Sequence, residues 1–535
     1  MNLGPTGQLT RFTPDDADAG GSESFGFSVA MDGDWAVVGC PNKVVGMINP
    51  GAAYVYHRVS GTWTYVQRLV SSDGAALDGF GRAVAISGSY IVVGAPNRLA
   101  AVGGAYVFRL TGTVWAEEQI LAPSVSAADD AFGTSVAISG VDLVVGSPGA
   151  DEGAAGAGLA FTFHRAAGVW SETTKLISPA RAAGGAFGTR VAMDGGTLVV
   201  GEPGSAAAGA LQVYERQLDD TWLTVASLAR LALHSANGLG TYGIAISGEL
   251  IAAGMPLEHN TLDDTGAVYI FRLVGSVWGP NEDQRIAAPP RFEDVANEYF
   301  GYSVSLDGTT LAVGATADRD LGVDPPVGTY GSVFLFADVA DVGFQLCGRA
   351  HPAVVGGTGF DVAVSESTRC ALTGAPNELA GAVPSEGAIR FYQLAPTDGI
   401  EMPLAGLYLD ALYYVNGADD VILTNCVPKH GETQVKQAAV LRFQVLALNG
   451  AAIDATTRVW VDYGAGDELA YSQAAGGFQA GFSGTMTLVA PPGSVVQSEQ
   501  WFELWRVGAL WPSLEQVTLR VDASAGGSHL LGDPE

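Results

Sequence analysis

Along most of the chain, apolar residues alternate with polar or small ones in short runs, and the runs return in a fixed order. A run such as SVAMDG, AVAISG or RVAMDG leads through a tight turn into WAVVGCP, YIVVGAP, LVVGSP or TLVVGEP. A loop follows, then a glycine and an apolar stretch: GAAYVY, GGAYVF, GLAFTF, GALQVY, GAVYIF, GSVFLF and GAIRFY in successive copies. After another short turn a last run opens with Trp63, Trp115, Trp170, Trp222 or Trp278, and with Phe344 in the sixth copy. Apolarity of period two between glycine-bearing turns predicts four antiparallel strands per unit, and nothing in this region has helical spacing.

Each unit is announced by Phe-Gly: Phe25-Gly26, Phe80-Gly81, Phe132-Gly133, Phe187-Gly188 and Phe300-Gly301, with weaker copies at Leu239-Gly240 and Thr358-Gly359. The copies stand 52 to 61 residues apart, and seven four-stranded units of that period predict a seven-bladed β-propeller over residues 1–398. The Phe is expected on the innermost strand, packed between blades. The Gly is expected to let backbones crowd at the axis, and the Pro of Gly-x-Pro to end the second strand by removing a ladder donor. These residues resemble the FG-GAP repeat family, found in integrin alpha-subunit heads and many bacterial surface proteins, over roughly residues 8–398. The fifth copy (LGTYGIAISG), the sixth (Thr316 for Pro) and the seventh depart most from its pattern. The seventh unit supplies three strands, ending in GAIRFYQLAP, while an orphan GQLTRFTP precedes the first Phe-Gly. Residues 8–13 are therefore expected to close the ring as the outer strand of the last blade.

The first-to-second and third-to-fourth connections are tight, whereas the second-to-third and blade-to-blade connections are long, as at 42–50, 149–157, 257–265 and 317–330. In a propeller the two sets emerge on opposite faces, so one face is trimmed and the other is elaborated; loops on a rigid scaffold are where binding residues collect. The candidate ligand-binding residues on the elaborated face are Asp151, Glu152, Asp263, Asp264, Asp318, Asp320, Asp324 and Tyr330. The resemblance implies that this face serves partners. It also raises calcium, which many members hold in an Asp-rich loop between the first two strands. Here those turns read MDGDW, ISGSY, ISGVD, MDGGT, ISGEL, LDGTT and SESTR, too short and too poor in carboxylates for that loop. No metal or other cofactor is expected, and the remaining acidic loop clusters, with Asp15, Asp16 and Asp18 among them, read as solvated carboxylates.

The 56 acidic against 26 basic residues give a net charge of −30, which excludes nucleic acid and an anionic bilayer as partners. No stretch approaches a membrane span, and the opening MNLGPTGQLTR lacks an apolar export segment. The four cysteines lack metal spacing; Cys347 and Cys370 are the one pair near enough to suspect of bonding. His-Glu-x-x-His, Gly-x-Ser-x-Gly and phosphate-loop patterns do not occur, and GLGTYG (238–243) falls inside a strand repeat rather than before a helix. His57 and His164, at matching ends of third strands, read as structural. The repeated Trp residues invite a sugar-stacking reading, but their regular position after a hairpin turn favours blade packing.

Beyond residue 398 the period is lost, yet LYLDALYYV, DVILTNCV, AAVLRFQVLAL, TTRVWVDYG, SGTMTLVAPP, QWFELWRVG and EQVTLRVDAS all read as strands. Residues 399–535 are expected to form a β-sandwich that serves attachment or oligomerisation, its Trp501, Trp505 and Trp511 in the core. The whole then reads as an all-β recognition or adhesion protein, not an enzyme, with a cell-surface glycan or protein receptor as partner and a larger assembly held through the C-terminal domain. A virion surface component such as a phage tail or spike protein is the first expectation. A secreted or surface bacterial adhesin or lectin is the second, and a glycan hydrolase or lyase with its site at the propeller mouth the third.

Overall fold

The computed structural model describes residues 8–14, 23–205, 209–230, 238–258, 266–287, 299–317, 331–339, 343–350, 359–378 and 387–393, together with the backbone of nine strands between 407 and 531. Seven four-stranded sheets follow one another around an axis. Blade 1 is Ser28–Asp32, Trp35–Cys40, Ala52–Val59 and Thr62–Leu69 from the axis outward. Blades 2, 3, 4, 5 and 6 begin their innermost strands at Ala83, Ser135, Val191, Ile244 and Phe300. In blade 5 the outer strand is interrupted, pairing as Val277–Trp278 and again as Gln284–Ala287. Blade 7 takes Asp361–Ser365, Cys370–Ala375 and Ala388–Gln393 from one end of the repeat array and Gln8–Phe12 from the other. Phe12 pairs opposite Ile389 and Thr10 opposite Phe391, and Arg11 adds a 2.8 Å ion pair to the buried Glu378, so the expected closure is present. Among the described residues the one helical segment, Arg98–Ala101, is a left-handed turn in a loop.

The second strands are buried on both faces because each is covered by the blades on either side, as in Trp35–Cys40 and Leu250–Met255. The cores therefore lie between blades rather than within them. Phe25 packs edge-on against Tyr54 of its own blade in a cluster that also takes in Leu372, Ile389 and Phe391 of blade 7. Each buried aromatic of this kind contributes about 2–3 kcal/mol.

Two expectations about Phe-Gly need correction. In five of the blades the Phe, or Leu239 in its place, stands one turn ahead of the innermost strand, forming a parallel bridge to the glycine that opens the third strand of the preceding blade: Phe25 to Gly387, Phe80 to Gly51, Phe132 to Gly103, Phe187 to Gly158 and Leu239 to Gly209. Phe300 makes the same bridge, to Gly266, from the first residue of its strand. The crowding that demands glycine is also between blades, not at the axis. A Cβ on Gly26 would sit 2.7 Å from the Ala388 carbonyl oxygen and 3.1 Å from Gly374, the Gly-x-Pro glycine of blade 7. A Cβ on Gly201, in Gly-x-Pro of blade 4, would lie 2.6 Å from the carbonyl oxygen of Gly240. Both glycines of the signature are thus one contact, repeated at all seven junctions, in which backbones pass too closely for any side chain.

Other repeated positions stitch the ring. The Ser or Asp that ends an innermost strand accepts a hydrogen bond from the next blade's turn: Gly88 N–H to Asp32 (2.6 Å), Gly140 to Ser87 (3.0 Å), Gly195 to Ser139 (3.0 Å), Gly248 to Asp194 (2.7 Å), Gly308 to Ser247 (2.9 Å) and Glu366 to Asp307 (2.8 Å). Farther out, Gln67 clamps both backbone groups of Trp115, Gln119 those of Trp170 and Gln284 those of Phe344. The five repeated Trp residues are buried, so they pack blades and leave no platform for a sugar. His57 stacks on Trp35 at 4.0 Å and His164 bonds Asp142 at 2.8 Å, both in structural roles. GLGTYG runs directly into the strand Ile244–Ser247.

Beyond residue 398 the described backbone forms two antiparallel sheets. One orders Asp419–Ile422, Leu407–Asn416, Val440–Ala447, Glu499–Trp505 and Met486–Val489; the other Glu468–Ser472, Arg458–Asp462, Thr518–Ala523 and Gly527–Leu531. All seven expected strands are there, joined by Glu468–Ser472 and Gly527–Leu531, which the alternation pattern had not separated from their turns.

Candidate functional site

Antiparallel order within each blade sends every second-to-third and blade-to-blade connection to one face, as the turn lengths imply. On that face neighbouring loops are hydrogen-bonded across blades. Leu77 N–H donates to Asn49 O and Phe80 N–H to Pro50 O; Ala131 donates to Ala101, and Gly184 and Ala186 to Ala155 and Gly156. The described loops are therefore held as one surface, with little conformational entropy left to lose on binding. Asp151 and Glu152 lie in the second-to-third loop of blade 3. Asp151 accepts from Gly156 N–H at 2.7 Å, and Glu152 pairs with Lys175 at 3.0 Å. Asp263, Asp264, Asp318, Asp320, Asp324 and Tyr330, like Asp15, Asp16 and Asp18, lie outside the described residues. Among the described residues no three His, Cys, Asp or Glu side chains converge as a metal group would need. Cys370 is a buried thiol that donates to the Thr368 carbonyl at 3.5 Å, its pKa pushed up by burial, and the side chain of Cys347 lies outside the described residues.

A second arrangement, at the same face, was not anticipated from the sequence. The innermost strands start at the long-loop end of the channel, and the residues just after each Phe-Gly form a collar there. Phe27 and Phe360 meet at 4.9 Å between ring centres, Phe360 and Tyr302 at 5.0 Å, and Tyr302 and Tyr242 at 5.3 Å. The Arg82 guanidinium lies over Phe27, 4.4 Å from the ring centre. Arg190 of blade 4 and Asp361 of blade 7 complete the charged set, and Thr134 is the blade 3 member.

The charges of the collar are coupled. Burial pushes the Asp361 carboxyl up to about 6, although it accepts hydrogen bonds from Val29 N–H (2.7 Å) and Val362 N–H (3.1 Å) and feels Arg190. Burial, and then the proximity of Arg190, lower Arg82; burial raises the Tyr302 hydroxyl. Arg82 is exposed, and its guanidinium keeps its charge. Asp361 is the sole carboxylate of the collar, which has no histidine, so the carboxylate pair that a hydrolase would need there is not assembled from these residues.

Departure from the repeat is the signal that could have exposed this site. Three residues after the Phe, blades 1, 3 and 6 carry Ser28, Ser135 and Ser303, each donating to the carbonyl of the next blade's Phe-Gly glycine at 2.8–2.9 Å. Arg190 and Asp361 occupy that same position in blades 4 and 7.

The FG-GAP repeat model matches five segments, residues 6–56, 63–108, 115–163, 170–214 and 293–336. The propeller belongs to the FG-GAP repeat family. The first four matched segments begin with the outer strand of one blade and run into the first three strands of the next, which is why the first of them takes in Gln8–Phe12; the fifth begins past the outer strand of blade 5 and takes in the first three strands of blade 6. The unmatched fifth and seventh FG-GAP repeats are the two in which Leu239 and Thr358 replace Phe, whereas the sixth matches despite Thr316. FG-GAP propellers are typically extracellular. Comparison with curated proteins found no match. Among the described residues no helix is long and apolar enough to cross a membrane.

Proposed function

We propose that this FG-GAP protein is a non-enzymatic recognition or adhesion protein that presents its long-loop face to a cell-surface glycan or protein receptor. The observation that supports this reading most directly is the asymmetry of the disc: one face carries two- to five-residue turns, while the other carries loops that, where described, are hydrogen-bonded into a single surface. Residues 399–535 pack their two sheets as a β-sandwich and mount the propeller on a larger assembly, such as a virion tail or spike or a bacterial surface. Calcium has no part in this reading.

The test is binding of the full chain to a glycan array and to intact cells, run beside a polysaccharide-degradation assay. Saturable binding without product release supports recognition, and release of shortened glycan defeats it. Replacing loop 149–157 with Gly-Ser should weaken binding, whereas replacing the trimmed turn at 140–141 should not.

A further inference from the structure

The collar carries an inference that is independent of what the long loops bind. Where ion pairs form among the described residues, buried or half-buried arginines meet carboxylates: Arg390 meets Glu378, Arg165 meets Glu118 and Arg272 meets Asp338, at 2.6 to 2.7 Å. Arg82 and Arg190 do not. Neither side chain donates a hydrogen bond or makes an ion pair among the described residues, and the Arg190 Nε is fully buried without a partner. In a chain with more than twice as many acids as bases, the exposed Arg82 and the half-buried Arg190 stand close enough to repel one another, with only the distant charge of Asp361 to offset them. The repeat shows the cheaper solution at the same position, a serine bonded to the next blade, and blade 4 does not use it.

We propose that the channel collar is a binding site for an oxyanion, a carboxylate or sulfate carried on a sugar-sized ring, entering from the long-loop face. Arg82 and Arg190 supply a planar array of donors suited to such a group, and the guanidinium fork matches its oxygens. Phe27, Phe360, Tyr302 and Tyr242 supply apolar ring faces on which the body of the ligand lies. An oxyanion between the two arginines satisfies the buried Nε and removes their mutual repulsion.

Asp361 tunes the site. Its carboxylate faces the same channel and competes for Arg190; once protonated, it leaves the collar with two positive charges and none negative. The other residues around it, Phe27, Thr134, Tyr242, Tyr302 and Phe360, carry no charge near neutrality. Affinity for an oxyanion therefore rises as the pH falls through about 6.

The experiment is calorimetric titration of the full chain with glucuronate and with sulfate at constant ionic strength, at two pH values on either side of that of Asp361, with glucose and chloride as controls. One-to-one binding of glucuronate that tightens at the lower pH, absence of glucose binding, and a loss of at least tenfold in Arg190→Gln are expected. In ligand-free buffer Arg190→Gln should melt at or above the wild-type temperature, because an unpaired charge has been removed. A trigalacturonate arm separates the sources of the anion: tighter binding than the monomer marks the end of an acidic glycan, and equal binding marks a free small acid. Failure of both glucuronate and sulfate to bind, unchanged binding by Arg190→Gln, or a lower melting temperature for that variant without ligand would overturn the site. None of these outcomes bears on the array test of the loop face.

Discussion

The contact between the two signature glycines can be taken apart by three alanine substitutions. Gly201 has an ordinary φ, but its Cβ would lie 2.6 Å from the Gly240 carbonyl oxygen and 2.9 Å from its Cα, closer than real Cβ atoms come. Neither backbone can retreat, since each is fixed in its own blade, so Gly201→Ala should cost about 1–3 kcal/mol as overpacking. Gly140 is the opposite case, with φ of +61° and nothing within 4 Å of the added methyl, so Gly140→Ala should cost about 1 kcal/mol in backbone strain alone. Gly26 combines φ of +86° with a Cβ position 2.7 Å from Ala388 O, at the junction that closes the ring. Gly26→Ala should then lose about 2–5 kcal/mol. All three gain a few tenths to about 1 kcal/mol from the stiffer unfolded chain, which leaves their order unchanged. Urea unfolding followed by tryptophan fluorescence reads this directly, because five Trp residues are buried between blades. If Gly201→Ala were as stable as the parent, or Gly26→Ala no worse than Gly140→Ala, the close approach of backbones would not be what these glycines provide.

Three further outcomes follow from the same geometry. Removal of the chain through Pro14 strips the outer strand of blade 7 and the Arg11–Glu378 pair, and should lower the melting temperature by several degrees; an unchanged transition would refute closure by this strand. Gln119→Ala leaves both backbone groups of Trp170 unpaired and should cost about 1–3 kcal/mol in urea unfolding, more than truncation of an exposed outer-strand residue such as Val114. Asp361 is raised from 3.8 to about 6, so between those values the native state binds more protons than the unfolded chain, and this group's contribution to stability is lost as the pH rises through about 6. Asp361→Asn should remove that slope and be more stable than the parent at neutral pH by about 1–3 kcal/mol, which paired unfolding curves at acidic and neutral pH would detect or deny.

Strand count, blade count, the identity of the closing strand and the division into a trimmed and an elaborated face were all legible along the chain. Each rests on local chemistry: period-two apolarity makes a strand, Asp-Gly and Ser-Gly make tight turns, and seven copies with one strand missing at the end and one spare at the start close in a single way. Repetition made those local signals unmistakable even where Leu239 or Thr316 broke the pattern. The roles of the repeated residues were not legible in the same way. Phe25 and Gly26 are neighbours in sequence, but Gly26 is constrained by Ala388 and Gly374, some 350 residues away, and only the closed ring brings those backbones together. The Asp and Ser of the MDG and ISG turns, which alone look like remnants of an ion loop, turn out to accept hydrogen bonds from the next blade's turn. The collar is the extreme case. Phe27, Arg82, Arg190, Tyr242, Tyr302, Phe360 and Asp361 come from six of the seven blades, and no spacing in the chain marks them as a group. The sequence by itself determined the ring, because strands and turns are set by neighbours; what faces across the ring was decided by its radius and register, which exist only once all seven blades have met.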